Sequence, residues 1–445
     1  MKKEISMQII HSHAAGIDVG SRSHFVAVGQ NSGDVSEFGV YTEDHQELIK
    51  WLSGYGITTI AMESTGSYWQ TLFSALQQAG FEVLLVNGRQ IKNVKGKTDV
   101  KDCQWIQRLH SLGLLTGSFL PTDQVEQLRT YQRHRSWLVE QSAKMTNKMQ
   151  KALRLMNLRL DVVLSDIMGK SGQLIIRAIL QGSRSGEELS LLADGRVRKS
   201  KQEIAKALEG HWREEFLFEL RDCYELYQIY ESRIAGCDLR MESLLSEFTK
   251  YLSTQQGQNE AIRSKRKRGF KNQPKFDVSS LSFDLLGVDL FAIDGVSHNT
   301  VMTFISEVGT DIYKFPTAKQ FASWMRLAPN NKISGGKMIS SRTPKGKNRL
   351  ALALRNAANS IGSMKKGALK NFFGRIAYKK GRAAAITATA RKLAVIIWNM
   401  IIKKQPFQNP DETFYIEKVK ASVIFNIKAK MKRLNLSAFD LNLTC

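Results

Sequence analysis

Apolar residues in the first 120 positions fall in short runs broken by polar turns. AAGIDVG (14–20) and HFVAVGQ (24–30) read as paired strands, followed by EFGVY, a helical pattern through HQELIKWLSGYG and the run TTIAMES. Helix-like SYWQTLFSALQQAG and strand-like FEVLLVN come next. Strands in hairpin order, then strands alternating with helices, predict an α/β sheet of mixed direction over residues 1–120, closing at the turn LPTD. From 121 to 251 the pattern is helical. Leu138, Ser142, Met145, Met149, Ala152 and Met156 step by alternate fours and threes. So do Phe216, Leu220, Cys223, Tyr227, Tyr230, Ile234, Cys237, Met241, Leu244 and Phe248. A period of about 3.5 residues marks a coiled-coil seam. A pair of long helices packed on each other within one chain gives the same period, and dimerisation is compatible with both.

Residues 252–289 are mostly polar, with the charge run RSKRKRGFK at 263–271, and read as a linker or insertion. The run suits a segment ordered against nucleic acid, or simply a solvated one. The unit 290–410 begins with LFAIDGVSHNTVMTFISEVG, a glycine turn before an amphipathic helix. That arrangement resembles half of a helix-hairpin-helix, whose turn amides can hold phosphate, but also an ordinary helix start. Helices follow in FASWMRL, NRLALALRNAANSIGSM and AAAITATARKLAVIIWNM, with APNNKISGGKMISSRTPKGKN between the first two read as a polar loop. Residues 411–445 form a basic tail. The expected fold class is α/β plus α: a mixed sheet, central long helices and a mainly helical C-terminal domain.

With 445 residues and 42% hydrophobic content, the chain can bury sizeable cores in about three domains. LAVIIWNMII at 393–402 falls short of the roughly 18 residues that span a bilayer, and MKKEISMQII lacks the apolar core and cleavage site of a secretory signal. The expectation is a cytoplasmic protein with no membrane partner. Cys103, Cys223, Cys237 and Cys445 have no CxxC spacing, which argues against zinc and against a disulfide framework and leaves reduced thiols. The formal charge is +24, but residues 1–120 carry ten Lys/Arg against eleven Asp/Glu, whereas 341–445 carry twenty-two against four. Such a concentrated cationic surface fits a phosphate backbone, whose neutralisation releases counterions. A solvated basic face or a surface for anionic lipid is the alternative.

Within this basic chain, KTDVKDC (97–103) places Asp99 and Asp102 on one helix face, where they repel. Solvent, Lys97 and Lys101, or a divalent cation could offset the repulsion. Two more carboxylates bear on the choice: Asp18 inside GIDVG, between Ile17 and Val19, and Glu63 at the end of TTIAME. Neighbouring strands can bring such positions together at a sheet end, where ligands collect. Oxygen ligands of this kind suit Mg²⁺ or Mn²⁺, and two ions about 4 Å apart can clamp both reacting oxygens of a phosphoryl transfer.

GIDVGS, MESTGSYW and KTDVKDC closely resemble the acidic motifs of the DEDD insertion-sequence transposases, and ISGGK, PKGKNRLALALRNAA and TARKLAVIIWNM resemble that family's C-terminal domain. The resemblance spans nearly the whole chain. It implies a RuvC-like, ribonuclease-H-like first domain with a Mg²⁺ or Mn²⁺ site at Asp18, Glu63, Asp99 and Asp102. It further implies a serine nucleophile at Ser334 and an enzyme that cuts and rejoins DNA under the direction of a structured, element-encoded RNA. A homo-oligomer, dimer or tetramer, is implied as well, with serine and metal site meeting between subunits. Ser340, Ser341 and Thr343 are nearby hydroxyls that spacing alone does not exclude. Lys337, Arg342, Lys345, Lys347 and Arg349 are candidate nucleic-acid contacts, arginine being the better bidentate phosphate ligand. The rival readings are a RuvC-like nuclease that hydrolyses DNA with water, an actin-like ATPase sharing the GIDVGS loop, and a non-catalytic nucleic-acid-binding scaffold.

Overall fold

The computed structural model describes residues 8–91, 98–253, 271–408 and 412–434. Two compact units divide the chain, Met1–Leu120 and Pro121–Cys445.

In the first unit the strands β1 (Ala14–Val19), β2 (His24–Ala27) and β3 (Val35–Phe38) form an antiparallel meander. Helix α1 (Thr42–Gly54) then carries the chain to β4 (Thr59–Glu63), and α2 (Trp69–Gln78) carries it to β5 (Glu82–Val86). Both β4 and β5 are parallel to β1, giving the order β3-β2-β1-β4-β5. Alternation along the strands sorts the two faces. Ala15, Ile17, Val19, Ile60 and Met62 bury one face against Leu48 and Leu52 of α1 and Leu72 and Leu76 of α2. The opposite face, with Ala61 and Val86, is covered by Ile91 of the short α3 (Gly88–Ile91) and Ile106 of α4 (Asp99–Ser111). This mixed, two-faced layout is the RuvC-like arrangement.

The second unit begins with α5 (Asp123–Leu155), whose seam is answered by α10 (Glu214–Ser253) of the same chain. Arg135 pairs with Asp238 and Ser142 with Glu231, so the helices run antiparallel. The heptad periodicity therefore has an intrachain partner. Where the two helices are joined, α6 (Leu160–Val163), α7 (Lys170–Leu180), α8 (Gly186–Leu191) and α9 (Lys201–Ala207) build a small core. Ile175, Ile179 and Ile204 there pack on Met149, Leu153 and Leu220.

Residues 254–270, including most of the charge run, lie outside the described residues. Beyond them the chain is tied to the long pair: Arg135 donates to the Asn272 carbonyl, and Asp238 accepts the Lys275 amide. Val278–Leu286, read from sequence as part of a polar linker, is helix α11, capped by Asp277 and stopped by Gly287 in the left-handed conformation. Helix α12 (His298–Glu307) is buried on nearly every side, as a central helix should be. Its C-terminal carbonyls at Ser306 and Glu307 accept from Arg129 of α5, and Arg133 forks onto the Glu307 carboxylate at 3.0 and 2.8 Å. Gly295, in the turn before α12, has φ +77° and abuts the Ala357 carbonyl and Ile361, so its glycine serves close packing.

Helix α13 (Ala318–Trp324) leads into β6 (Lys332–Ser334) and β7 (Lys337–Ser340), a two-stranded antiparallel ribbon. Sequence reading expected a loop here. Helices α14 (Arg349–Gly362), α15 (Ala368–Lys380), α16 (Arg382–Lys403) and α17 (Glu412–Leu434) complete the unit. By length and composition α16 could cross a membrane, but it packs against α13, α14 and α15 with Leu393, Ala394, Ile397 and Met400 buried.

Candidate active site

Strand register puts the first two carboxylates side by side. Ile17 pairs with Met62 across the parallel β1–β4 ladder, so Asp18 and Glu63 are the next residues in step. Both belong to the face that α3 and α4 cover. Val86 pairs with Glu63 from the other side, and the Glu63 carboxylate lies over Gly88, where an added Cβ would collide with its Oε1. Gly88 thus leaves the space that Glu63 occupies.

Helix α4 reaches the same place because its backbone lies directly on β1. A Cβ at Gly16 would fall on the Gln107 amide and the Cys103 carbonyl. Side-chain amides fix the contact: Gln107 donates to the Ala14 carbonyl at 3.2 Å and accepts from Gln30 at 2.6 Å, and Gln104 donates to the Gln30 carbonyl at 3.1 Å. Thr98 caps the helix by accepting from the Lys101 amide, which leaves Asp99 and Asp102 in the first turn. There the helix macrodipole favours negative charge and offsets part of their mutual repulsion. Lys97, the other candidate partner, lies outside the described residues. Burial pushes the Cys103 thiol up to about 12, and the negative charges of Asp18 and Asp102 add to the effect. None of Gly16, Gly88 and Gln107 was singled out in the sequence, since their roles depend on contacts distant along the chain.

Asp18, Glu63, Asp99 and Asp102 are all oxygen donors, the set that hard divalent ions such as Mg²⁺ and Mn²⁺ take. Their chemistry fits such an ion; Asp18 and Glu63 are next in step on adjacent strands, and Asp99 and Asp102 lie in the first turn of the helix that packs on β1. Among the described residues no three acidic, histidine or cysteine side chains are yet close enough to form a finished metal cage.

Three histidines in this unit are buried. His24 lies 5.6 Å from His45, ring centre to ring centre, while His110 bonds Thr59 at 2.9 Å and stacks on His11. Burial, assisted by the neighbouring histidine, lowers both His24 and His110 from 6.5 to about 4. The unfolded chain therefore binds more protons between these values, and stability falls as pH drops through that window. Thermal melts should show a plateau above pH 6.5, a decline towards pH 4, and a shallower decline in His24→Phe. A flat profile would contradict the assignment.

Ser334 ends β6 and faces Lys337 across the turn formed by Gly335 and Gly336. Both glycines have positive φ, 54° and 74°, as a two-residue hairpin turn of the favoured twist demands. Every residue from Lys332 to Ile339 is exposed. The base of the ribbon is closed by the Asn330 amide donating to the Arg342 carbonyl at 3.0 Å. Arg326 then donates to the Lys345 carbonyl at 2.6 Å, its guanidinium filling the space a side chain at Gly346 would need. Lys337, Arg342, Lys345, Lys347 and Arg349 are all exposed. Arg349 opens α14, the end where the dipole disfavours a cation, so an anion there would relieve a standing cost. Residues 312–410 hold 21 Lys/Arg and no Asp or Glu.

A mixed sheet of RuvC-like layout with Asp18 and Glu63 on adjacent strands, followed by a basic helical unit, is the layout of the DEDD class. A family model for the DEDD transposase of IS110 elements, described as transposase, matches residues 15–158, and one described as Transposase IS116/IS110/IS902 family matches residues 289–373. The chain belongs to this transposase family. No curated protein matches it.

Proposed function

We propose that this transposase cuts and rejoins DNA through Ser334, with a divalent ion held by Asp18, Glu63, Asp99 and Asp102, directed by an RNA from its own element and working as a homo-oligomer. The observation that carries the reading is that Asp18 and Glu63, next in step on adjacent parallel strands, share the sheet face on which α4, with Asp99 and Asp102 in its first turn, packs. When bound, the ion supplies positive charge to the phosphate as negative charge builds on its oxygens. The carboxylates fix where that charge sits. Ser334 Oγ attacks phosphorus, a P–O bond to the departing deoxyribose oxygen breaks, and that oxygen takes up a proton while the serine proton passes to solvent. Lys337, opposite Ser334 in the ribbon, places a cation beside the hydroxyl and favours its ionised form. A DNA hydroxyl then attacks the phosphoserine and releases Ser334. One phosphodiester is exchanged for another, and no nucleotide triphosphate is consumed.

The experiment is to incubate the full chain with end-labelled element DNA and the element's transcript, then denature and digest the product. Label on a peptide containing Ser334 is the expected result. Label at Ser340, Ser341 or Thr343 would relocate the nucleophile, and cut DNA with no protein adduct would mean attack by water.

A further inference from the structure

The ribbon that bears Ser334 presents more apolar surface than its position explains. Ile333 and Met338 form a cross-strand pair and are 64% and 61% exposed, and Ile339, the extra residue of a bulge, is 69% exposed. A two-stranded hairpin gains little stability from such side chains in water, and clustered exposed apolar residues mark contact surfaces. Their side chains stay exposed after the ribbon pairs, and among the described residues no helix covers them. The surroundings indicate the occupant. Lys332, Lys337, Arg342, Lys345 and Lys347 flank the apolar pair, and the nearest acidic residues in sequence are Asp311 and Asp411. A protein partner's apolar patch would leave these cations without counter-charge, whereas DNA offers bases to the apolar pair behind the turn and phosphates to the lysines. A two-stranded ribbon fits a DNA groove, and apolar side chains that enter a base step unstack it.

We infer that the β6–β7 ribbon is a DNA wedge: Ile333 and Met338 enter the base stack of the bound strand while the flanking cations hold its phosphates. The inference rests on the reading of Ser334 as a residue that meets DNA. It adds that the ribbon deforms the DNA it meets, which would give an attacking hydroxyl a locally opened backbone. The shared chemistry of apolar pair and basic flank commits the site to DNA, with RNA and a second copy of the chain as the competing outcomes.

The test uses full-length Ser334→Ala protein with the element's transcript, so that no strand is cut and failure of the nucleophile assignment cannot mask the result. Permanganate reactivity of thymines is read on a bound element-end duplex at matched occupancy. One or two thymines should become reactive and lose at least fivefold of that reactivity in the added Ile333→Ser/Met338→Ser pair, with Ile333→Leu/Met338→Leu restoring it. These positions are exposed, and an unchanged thermal melt will show that the serine pair folds. Equal reactivity in parent and serine pair overturns the inference. So does loss of self-association in the serine pair with DNA reactivity retained, which would assign the ribbon to a protein interface. Base unstacking confined to the RNA overturns it too.

Discussion

Asp18→Asn should lower DNA cleavage and joining by about a thousandfold, close to 4 kcal/mol of transition-state stabilisation, while leaving DNA binding within a few-fold. The substitution keeps the shape of the side chain and removes one negative charge from the end of β1, beside Glu63 and facing the first turn of α4. A hard cation loses most from exchanging a carboxylate for an amide, so the effect falls on chemistry and not on the basic surface of the other unit. Initial rates with element-end DNA, alongside a binding isotherm on the same protein, separate the two. A variant that cuts at the parental rate would remove Asp18 from the mechanism and leave a binding scaffold as the better reading.

Gly16→Ala should act almost as strongly, through the fold. The new methyl would meet the Gln107 amide and the Cys103 carbonyl, both backbone atoms of α4 that no rotamer change can move. Helix and strand must separate, at a cost on the order of 3 kcal/mol, the upper range for an overfilled core. Because α4 carries Asp99 and Asp102, the same displacement draws them away from Asp18. Lower urea midpoint and lower cleavage should therefore appear together. Gly54→Ala is the control: its Cβ meets nothing within 4 Å at the end of α1, and it should leave both readings unchanged or stabilise slightly.

Alternation made the strands legible. GIDVG and TIAME each set apolar residues on one side, and that parity also put Asp18 and Glu63 together on the other. The heptads of α5 and α10 were equally visible, but a period records that a seam exists without saying which chain fills it, and here the filler is the same chain. Two segments were misread for reasons the sequence does contain. Asp277 before and Gly287 after Val278–Leu286 are cap and stop signals for a helix, obscured by a polar neighbourhood. Gly335-Gly336 between short strand-compatible runs is a hairpin signal, obscured by lysines and serines. The packing glycines Gly16 and Gly88 and the Arg326–Gly346 clamp were not legible at all, because their partners come from positions that no local pattern links.

The central claim is that Asp18, Glu63 and the aspartates of α4 hold one metal centre. Its most direct test is the Mn²⁺ binding isotherm of the full chain, followed by electron paramagnetic resonance, for the parent and for Asp18→Asn, Glu63→Gln and Asp102→Asn separately. Each substitution should weaken the same class of site by at least tenfold. Parental Mn²⁺ affinity in all three would contradict the account.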